Sequence, residues 1–360
     1  MTDVFTWLLL LVPASALSAY FTSDQSLLTF LLSVVAVIPL AEWIRRATEH
    51  LAERAGPAIG GLLNVSFGNT AELVLALFVL AANKPDVVKA QITGAIIGNS
   101  LLGLGLAIVV GSIGRAKQTF NNKHAGQLSS LLVLSTIGLL LPAMFDYTMN
   151  GHATTSGRLL RDENLSLSVS VVLILVYIAN LIYTMVTHRD VFAFAEGDVH
   201  APAEPHAVWP IGRAMTVLAV ATIATAFEAE MISGALESTA TRLGLSEVFL
   251  GIILLAVIGN AAEYVSAMYF ARKDEMGLAV SITVGSTIQI ALLVAPVLVI
   301  VSALMGHPMN LVFSSPLELV AIGAVVFAVT AIAQDGETTW FEGVMLLAIY
   351  VLFALTFYFV

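Results

Sequence analysis

Apolar residues run along this chain in long blocks separated by short polar connections. Each block reaches the roughly 20 mostly apolar residues that an α-helix needs to cross a bilayer. Eleven can be drawn, at 4–21, 26–47, 57–82, 87–115, 127–147, 166–187, 208–235, 244–272, 276–305, 314–333 and 339–359. The pattern predicts an all-α polytopic membrane protein of about 11 transmembrane helices. The lipid bilayer is its expected surrounding.

Composition agrees. Of 360 residues 58% are hydrophobic and 11% charged, with a mean hydropathy of +0.93, whereas a soluble domain carries about 25% charged residues. The first block lacks a basic start and other spans follow it directly, so no cleavable signal peptide is expected. With no cysteine there is no disulfide or thiolate chemistry. No glycine-rich phosphate loop or basic nucleic-acid stripe is present. The formal charge of −10 does not mark an acidic docking face, because several acids fall inside spans.

Basic residues orient the chain. Connections on the side of the N-terminus hold Arg45, Arg46, Arg54, Arg115, Lys117, Lys123, Arg189, Arg213, Arg272 and Lys273; the other side holds Lys84, Lys89, Arg158, Arg161 and Arg242. Ten against five predicts a cytoplasmic N-terminus. Without an organelle-targeting segment, a prokaryotic inner (plasma) membrane is expected.

The sequence also repeats. Gly68-Asn69-Thr70-Ala71-Glu72 returns as Gly259-Asn260-Ala261-Ala262-Glu263, 191 residues later, and the same offset aligns Gly94 with Gly285 and Leu102 with Leu293. After a three-residue shift Glu42 and Glu49 match Glu230 and Glu237. The expected organisation is an extra N-terminal helix (1–25), a five-helix repeat (26–187), a cytoplasmic linker (188–207) and a second five-helix repeat (208–360). An odd number of spans makes the second repeat inverted, the plan of secondary transporters whose ion site lies near the midplane.

Glu72 and Glu263 carry the chemistry of that repeat. An unpaired acid at the bilayer centre costs at least about 2.5–3.5 kcal/mol. Two facing acids become neutral by holding protons or by holding a divalent cation, and because the same oxygens serve both, the two compete. That competition is proton/cation exchange. Asn69 and Asn260, three residues before each glutamate, put an amide oxygen on the same helical face. Gly68 and Gly259 allow close approach or a break that frees carbonyl ligands. Such hard oxygen donors suit Ca²⁺, with Mg²⁺ or Mn²⁺ as alternatives, and nothing resembles a zinc site. The following spans add Gly94-Ala95-Ile96-Ile97-Gly98-Asn99 and Gly285-Ser286-Thr287-Ile288-Gln289. Asn99 and Gln289 could hydrogen-bond the glutamates, with Ser286 in the same supporting group. No permanently bound cofactor is expected.

GGLLNVSFGNTAEL ending at Leu73, GNAAEY (259–264), GSTIQIAL (285–292) and DGETTWFEGVMLLAIY (335–350) resemble the cation/proton exchanger branch of the calcium/cation antiporter superfamily. The similarity runs from about residue 39 to the C-terminus. It implies Ca²⁺/H⁺ antiport with Glu72 and Glu263 as the shared cation and proton site, supported by Asn69, Asn260, Asn99 and Gln289. The sequence departs from the family pattern at Tyr264, where His is frequent, at Ala256, where Pro is common, and at Ala95 and Gly98, where Ser is common. The linker is only weakly acidic.

Other readings remain for several residues. Asn69, Asn260, Asn99 and Gln289 could simply bond neighbouring helices, and Asn64 has only Leu255 opposite it. Glu42, Glu49, Glu230 and Glu237 are solvated helix ends by default, or else a vestibule that attracts cations. Glu318, following Pro316 in a first helical turn, is structural. For the whole chain the alternatives are Na⁺/Ca²⁺, K⁺/H⁺, Na⁺/H⁺ or Mn²⁺/H⁺ exchange and, remotely, an intramembrane enzyme or a channel. Ion stoichiometry and the choice between monomer and homo-oligomer stay open.

Overall fold

The apolar blocks fold as helices, the form in which a membrane segment satisfies its own backbone. The computed structural model describes residues 2–22, 27–55, 68–149, 155–187, 208–306, 308–313 and 315–359. The chain begins with α1 (Thr2–Leu8), α2 (Leu11–Thr22) and α3 (Leu27–Ala55). Next come α4 (Thr70–Ala81), α5 (Pro85–Gly111), α6 (Asn122–Met149) and α7 (Thr155–Ile182). The second half contains α8 (Ile211–Leu243), α9 (Glu247–Gly259), α10 (Ala261–Arg272), α11 (Met276–Leu304), α12 (Pro316–Ala333) and α13 (Trp340–Tyr358).

Among the described residues, eight helices are long and apolar enough to cross a membrane, or nine if the bent pair α9–α10 is one span. Phe5–Phe21 and α4 are apolar but shorter. Residues 56–67, which contain Asn64 and the start of the expected span 57–82, lie outside the described residues, as does the linker 188–207. Large apolar side chains such as Val172, Leu175 and Phe327 point outward, as a lipid-facing surface requires.

The repeat is written into the helix boundaries. α4 and α10 each have 12 residues and begin 191 positions apart, at Thr70 and Ala261. α5 and α11 begin at the same offset, at Pro85 and Met276. Both contain one π-helical stretch, Gly98–Gly103 in α5 and Ile290–Val294 in α11. Such local widenings of a helix are frequent where function needs a redirected side chain.

The chain divides into two compact units, Met1–Gln91 with His200–Ala262 and Phe357–Val360, and Ile92–Val199 with Glu263–Thr356. Each draws on both halves of the sequence. In the first, α3 and α8 pack along each other, α2 lies on α3, and α4 lies on α8. Leu40, Ala41, Ile44, Ala71 and Ala221 form a buried core there, flanked by Leu9, Val12 and Trp43. In the second, α6 packs on α11 and α12, and α7 packs on α11. A short antiparallel ribbon, β1 (Gln118–Thr119) and β2 (Glu337–Thr338), joins two connections. α13 meets α5 glycine against glycine: a Cβ at Gly343 would lie 2.9 Å from the carbonyl oxygen of Gly105. Small residues permit such close crossings in membranes.

Glu318 behaves as its position after Pro316 predicts. It closes a capping box with Ser315 at the start of α12 and accepts a hydrogen bond from Thr93 Oγ1 at 2.9 Å. The capping box satisfies backbone donors at the helix start, Ser315 N through Glu318 Oε1 and Leu317 N through Ser315 Oγ.

Candidate functional site

The first unit contains one half of the candidate site. Asn69 is the N-cap of α4, with φ −97° and ψ 24°. The helix opens after it, with Leu73 N donating to Asn69 O at 3.0 Å. Glu72 therefore lies in the first turn, where the helix N-terminus favours negative charge. Glu72 is 5% exposed and Asn69 6%. The Glu72 main-chain oxygen accepts from Gln91 Nε2 at 3.5 Å. Gln91 is itself buried, and its Oε1 makes no hydrogen bond among the described residues.

In the second copy of the motif a helix precedes the asparagine as well as following it. α9 ends at Gly259, Asn260 adopts φ −99° and ψ 7°, and α10 departs at 51° to α9. The two asparagines thus share nearly one backbone conformation, each immediately before the 12-residue helix that carries its glutamate. Each asparagine stands just before its helix, and the glutamate three residues on lies in the first turn. Asn260 Nδ2 donates to Ala256 O at 2.8 Å. Spending the NH₂ on its own helix turns Oδ1 the other way, and that oxygen is buried with no hydrogen-bond partner among the described residues.

The two motifs meet in this unit. A Cβ built on Gly259 would lie 3.3 Å from Glu72 Cγ and 3.6 Å from its Oε1. A side chain there would require Glu72 to give by a few tenths of an ångström, so the glycine lets the first repeat's carboxyl rest against the second repeat's break. Gly68 is half-buried beside Asn69.

The second unit contains the other half. Glu263 occupies the first turn of α10; the residue as a whole is half-buried, and its Oε2 is enclosed. Its neighbour Tyr264 is 4% exposed. The Tyr264 ring covers the π-helical stretch of α5. A Cβ at Gly98 would run into its Oη, and one at Gly103 would lie 2.6 Å from Cδ1. Asn99, fully buried, donates through Nδ2 to Ser286 Oγ at 3.1 Å, leaving Oδ1 without a hydrogen-bond partner among the described residues. Ser100 and Thr287 join hydroxyls at 2.8 Å alongside. Gln289 is half-buried at the last position before the π-helical stretch of α11.

Chemically, the two halves offer first-turn carboxylates and buried amide oxygens with no donor of their own. Among the described residues no group of three or more His, Asp or Glu could hold a metal ion. Amide and carbonyl oxygens therefore have to supplement the carboxylates in any cation shell. Sequence reading passed over Gln91, Tyr264 and the Ser100–Thr287 pair. Polar residues within an apolar block were the available signal for three of them; Tyr264 drew notice only as a departure.

The four expected vestibule acids are not equivalent. Glu42 is buried and bonded by Arg45 (Nε–Oε2 2.9 Å) and Arg46 (Nε–Oε1 2.6 Å), so its charge is already balanced. Glu49 pairs with Arg45. Glu230 is exposed, and Glu237 is exposed with Lys84 Nζ at 3.9 Å. Lys84 lies closer to Glu247, at 2.8 Å.

Comparison with known proteins matches residues 25–186 and 213–359 to the family described as sodium/calcium exchanger protein. The chain is 40% identical over 371 residues to a Ca(2+)/H(+) antiporter of Aphanothece halophytica, covering 99% of this chain and 96% of that one. It is 41% identical over 348 residues to the Ca(2+)/H(+) antiporter ChaA of Bacillus subtilis, covering 96% of each. Its structure resembles that of native YfkE with a TM-score of 0.83 at 36% identity, across 99% of this chain and 100% of that one.

Proposed function

The chain belongs to the sodium/calcium exchanger family, and from that premise we propose that it is a secondary antiporter that exports Ca²⁺ against entering protons by alternating access. Relatives named for this exchange cover nearly the whole chain. Family membership leaves the intramembrane-enzyme reading without support.

In this reading Glu72 and Glu263 are the shared cation and proton ligands. Asn69 and Asn260 lend oxygens at the helix breaks, and Gly68 and Gly259 make the breaks and the close approach. Asn99, Ser286 and Gln289 hold the surrounding amides in place. The observation that carries it is the seat of Glu72: a buried first-turn carboxyl against Gly259 of the other motif. Charge on a carboxyl buried at membrane depth is costly. It is neutralised by protons when they are abundant and by Ca²⁺ when they are scarce, so Ca²⁺ affinity falls as pH falls. The excess of Lys and Arg on the N-terminal side supports a cytoplasmic N-terminus, in a prokaryotic inner membrane.

Everted vesicles with an imposed inward-acid proton gradient should accumulate Ca²⁺, and Glu72→Gln should abolish the accumulation. Uptake unchanged by that substitution overturns the site. Uptake driven by a sodium gradient in place of the proton gradient overturns the choice of driving ion.

A further inference from the structure

One buried carboxyl lies outside the exchange site. Glu228, within α8, is 0% exposed. It has no counterpart acid in the first repeat: with the shift that matches Glu42 to Glu230, Leu40 stands opposite it. The helices packed on α8 are α2, α3, α4 and the start of α9. From α2 Glu228 is faced by Ser15 and from α3 by Ser33, and no charged side chain on any of these helices acts on it. No Lys, Arg or His forms an ion pair with it among the described residues.

Counting hydrogens at Ser15 decides its protonation state. Ser15 Oγ stands 2.7 Å from Val12 O and 2.7 Å from Glu228 Oε1. A hydroxyl has one proton, and the carbonyl of Val12 can only accept. If Glu228 were a carboxylate, two short oxygen contacts would share a single hydrogen. If Glu228 is a carboxylic acid, its own O–H donates to Ser15 Oγ, Ser15 donates to Val12 O, and both contacts are satisfied. Glu228 Oε2 has no hydrogen bond within normal distance among the described residues, with only the Ser33 hydroxyl facing the carboxyl, a weak environment that a neutral acid's carbonyl oxygen tolerates far better than half of a buried anion.

We propose that Glu228 is a proton-binding site separate from the exchange pair, occupied by a proton in the folded protein and clasping the N-terminal helix α2 through Ser15. A second buried contact, Ser18 Oγ to Thr29 Oγ1 at 2.9 Å, ties α2 to α3 beside it. The helix left over from the inverted repeats is therefore held by a hydrogen bond that needs a proton.

The test is infrared spectroscopy of the reconstituted full chain at neutral pH, without calcium. It needs no transport, so its outcome is independent of the exchange reading. The wild type should show a carboxylic-acid carbonyl band that disappears in Glu228→Gln. In Ser15→Ala the same band should persist at a higher frequency, because the acid loses its acceptor. A spectrum unchanged by Glu228→Gln overturns the proposal. Should that variant fail to insert, Ser15→Ala decides: an unshifted band overturns the clasp, and a shifted one supports it.

Discussion

The two copies of the Gly-Asn-x-x-Glu motif share one backbone and have different surroundings. Asn69 and Asn260 have nearly the same dihedral angles, and each glutamate follows in the first turn of a 12-residue helix. Glu72 is sealed, 5% exposed, and lies against Gly259. Glu263 is half-buried, and its neighbour Tyr264 covers a stretch of α5 that must be glycine at 98 and 103. A duplicated motif thus conserves the helix start and the charge position, while contacts from other helices make the two carboxyls unequal.

Substitutions of the glutamates should break the comparison most completely. Glu72→Gln and Glu263→Gln should each reduce proton-driven Ca²⁺ uptake to background. The aspartates should differ: Glu72→Asp, withdrawing from a packed seat, should lose more uptake than Glu263→Asp, whose half-exposed site can admit water. Equal losses would show that the two seats act alike.

The amide oxygens come next. Asn260→Leu and Asn99→Leu remove buried acceptors that lack donors, and each should weaken Ca²⁺ affinity by about 10–100-fold, the usual penalty for losing a residue that supports a metal site. Isothermal titration of Ca²⁺ into detergent-solubilised protein would measure this, and wild-type affinity in both variants would remove the amides from the site.

The glycines under Tyr264 offer a sharper discrimination. Gly98→Ala and Gly103→Ala should each cost about 1–3 kcal/mol of stability by overpacking. Because Gly98 faces the Tyr264 hydroxyl and Gly103 faces the ring edge, Tyr264→Phe should rescue the first and leave the second unrelieved. Thermal unfolding of the single and double variants would read the difference. Rescue of both, or of neither, would contradict the ring placement.

The smallest effect belongs to a residue far in role from the ions. Glu318→Ala loses a capping box at α12 and should cost about 0.5–2 kcal/mol without altering Ca²⁺ affinity. A changed affinity would argue that Glu318 serves the site.

Much of this was legible from residues alone. Long apolar blocks announced helices, and the offset of 191 anticipated both the equal lengths of α4 and α10 and the paired starts of α5 and α11. Gly259 and Gly68 signalled a break, though the periodic argument placed Asn69 and Asn260 within helices. Glu42 and Glu230 looked equivalent by alignment, yet one is bound by two arginines and the other is exposed. Glu228 drew no notice, because a single acid in an apolar block carries no period and its partner, Ser15, lies 213 positions away.

The sequence by itself determined the helices, the duplication and the type of chemistry, because apolar length, offset and residue identity are properties of the chain read in order. Only the tertiary structure decided which carboxyl is sealed, which glycine gives it room, and which hydroxyl must share a proton with Glu228. Those depend on atoms brought within a few ångströms from distant positions, and no local pattern encodes the direction in which a side chain meets its neighbour.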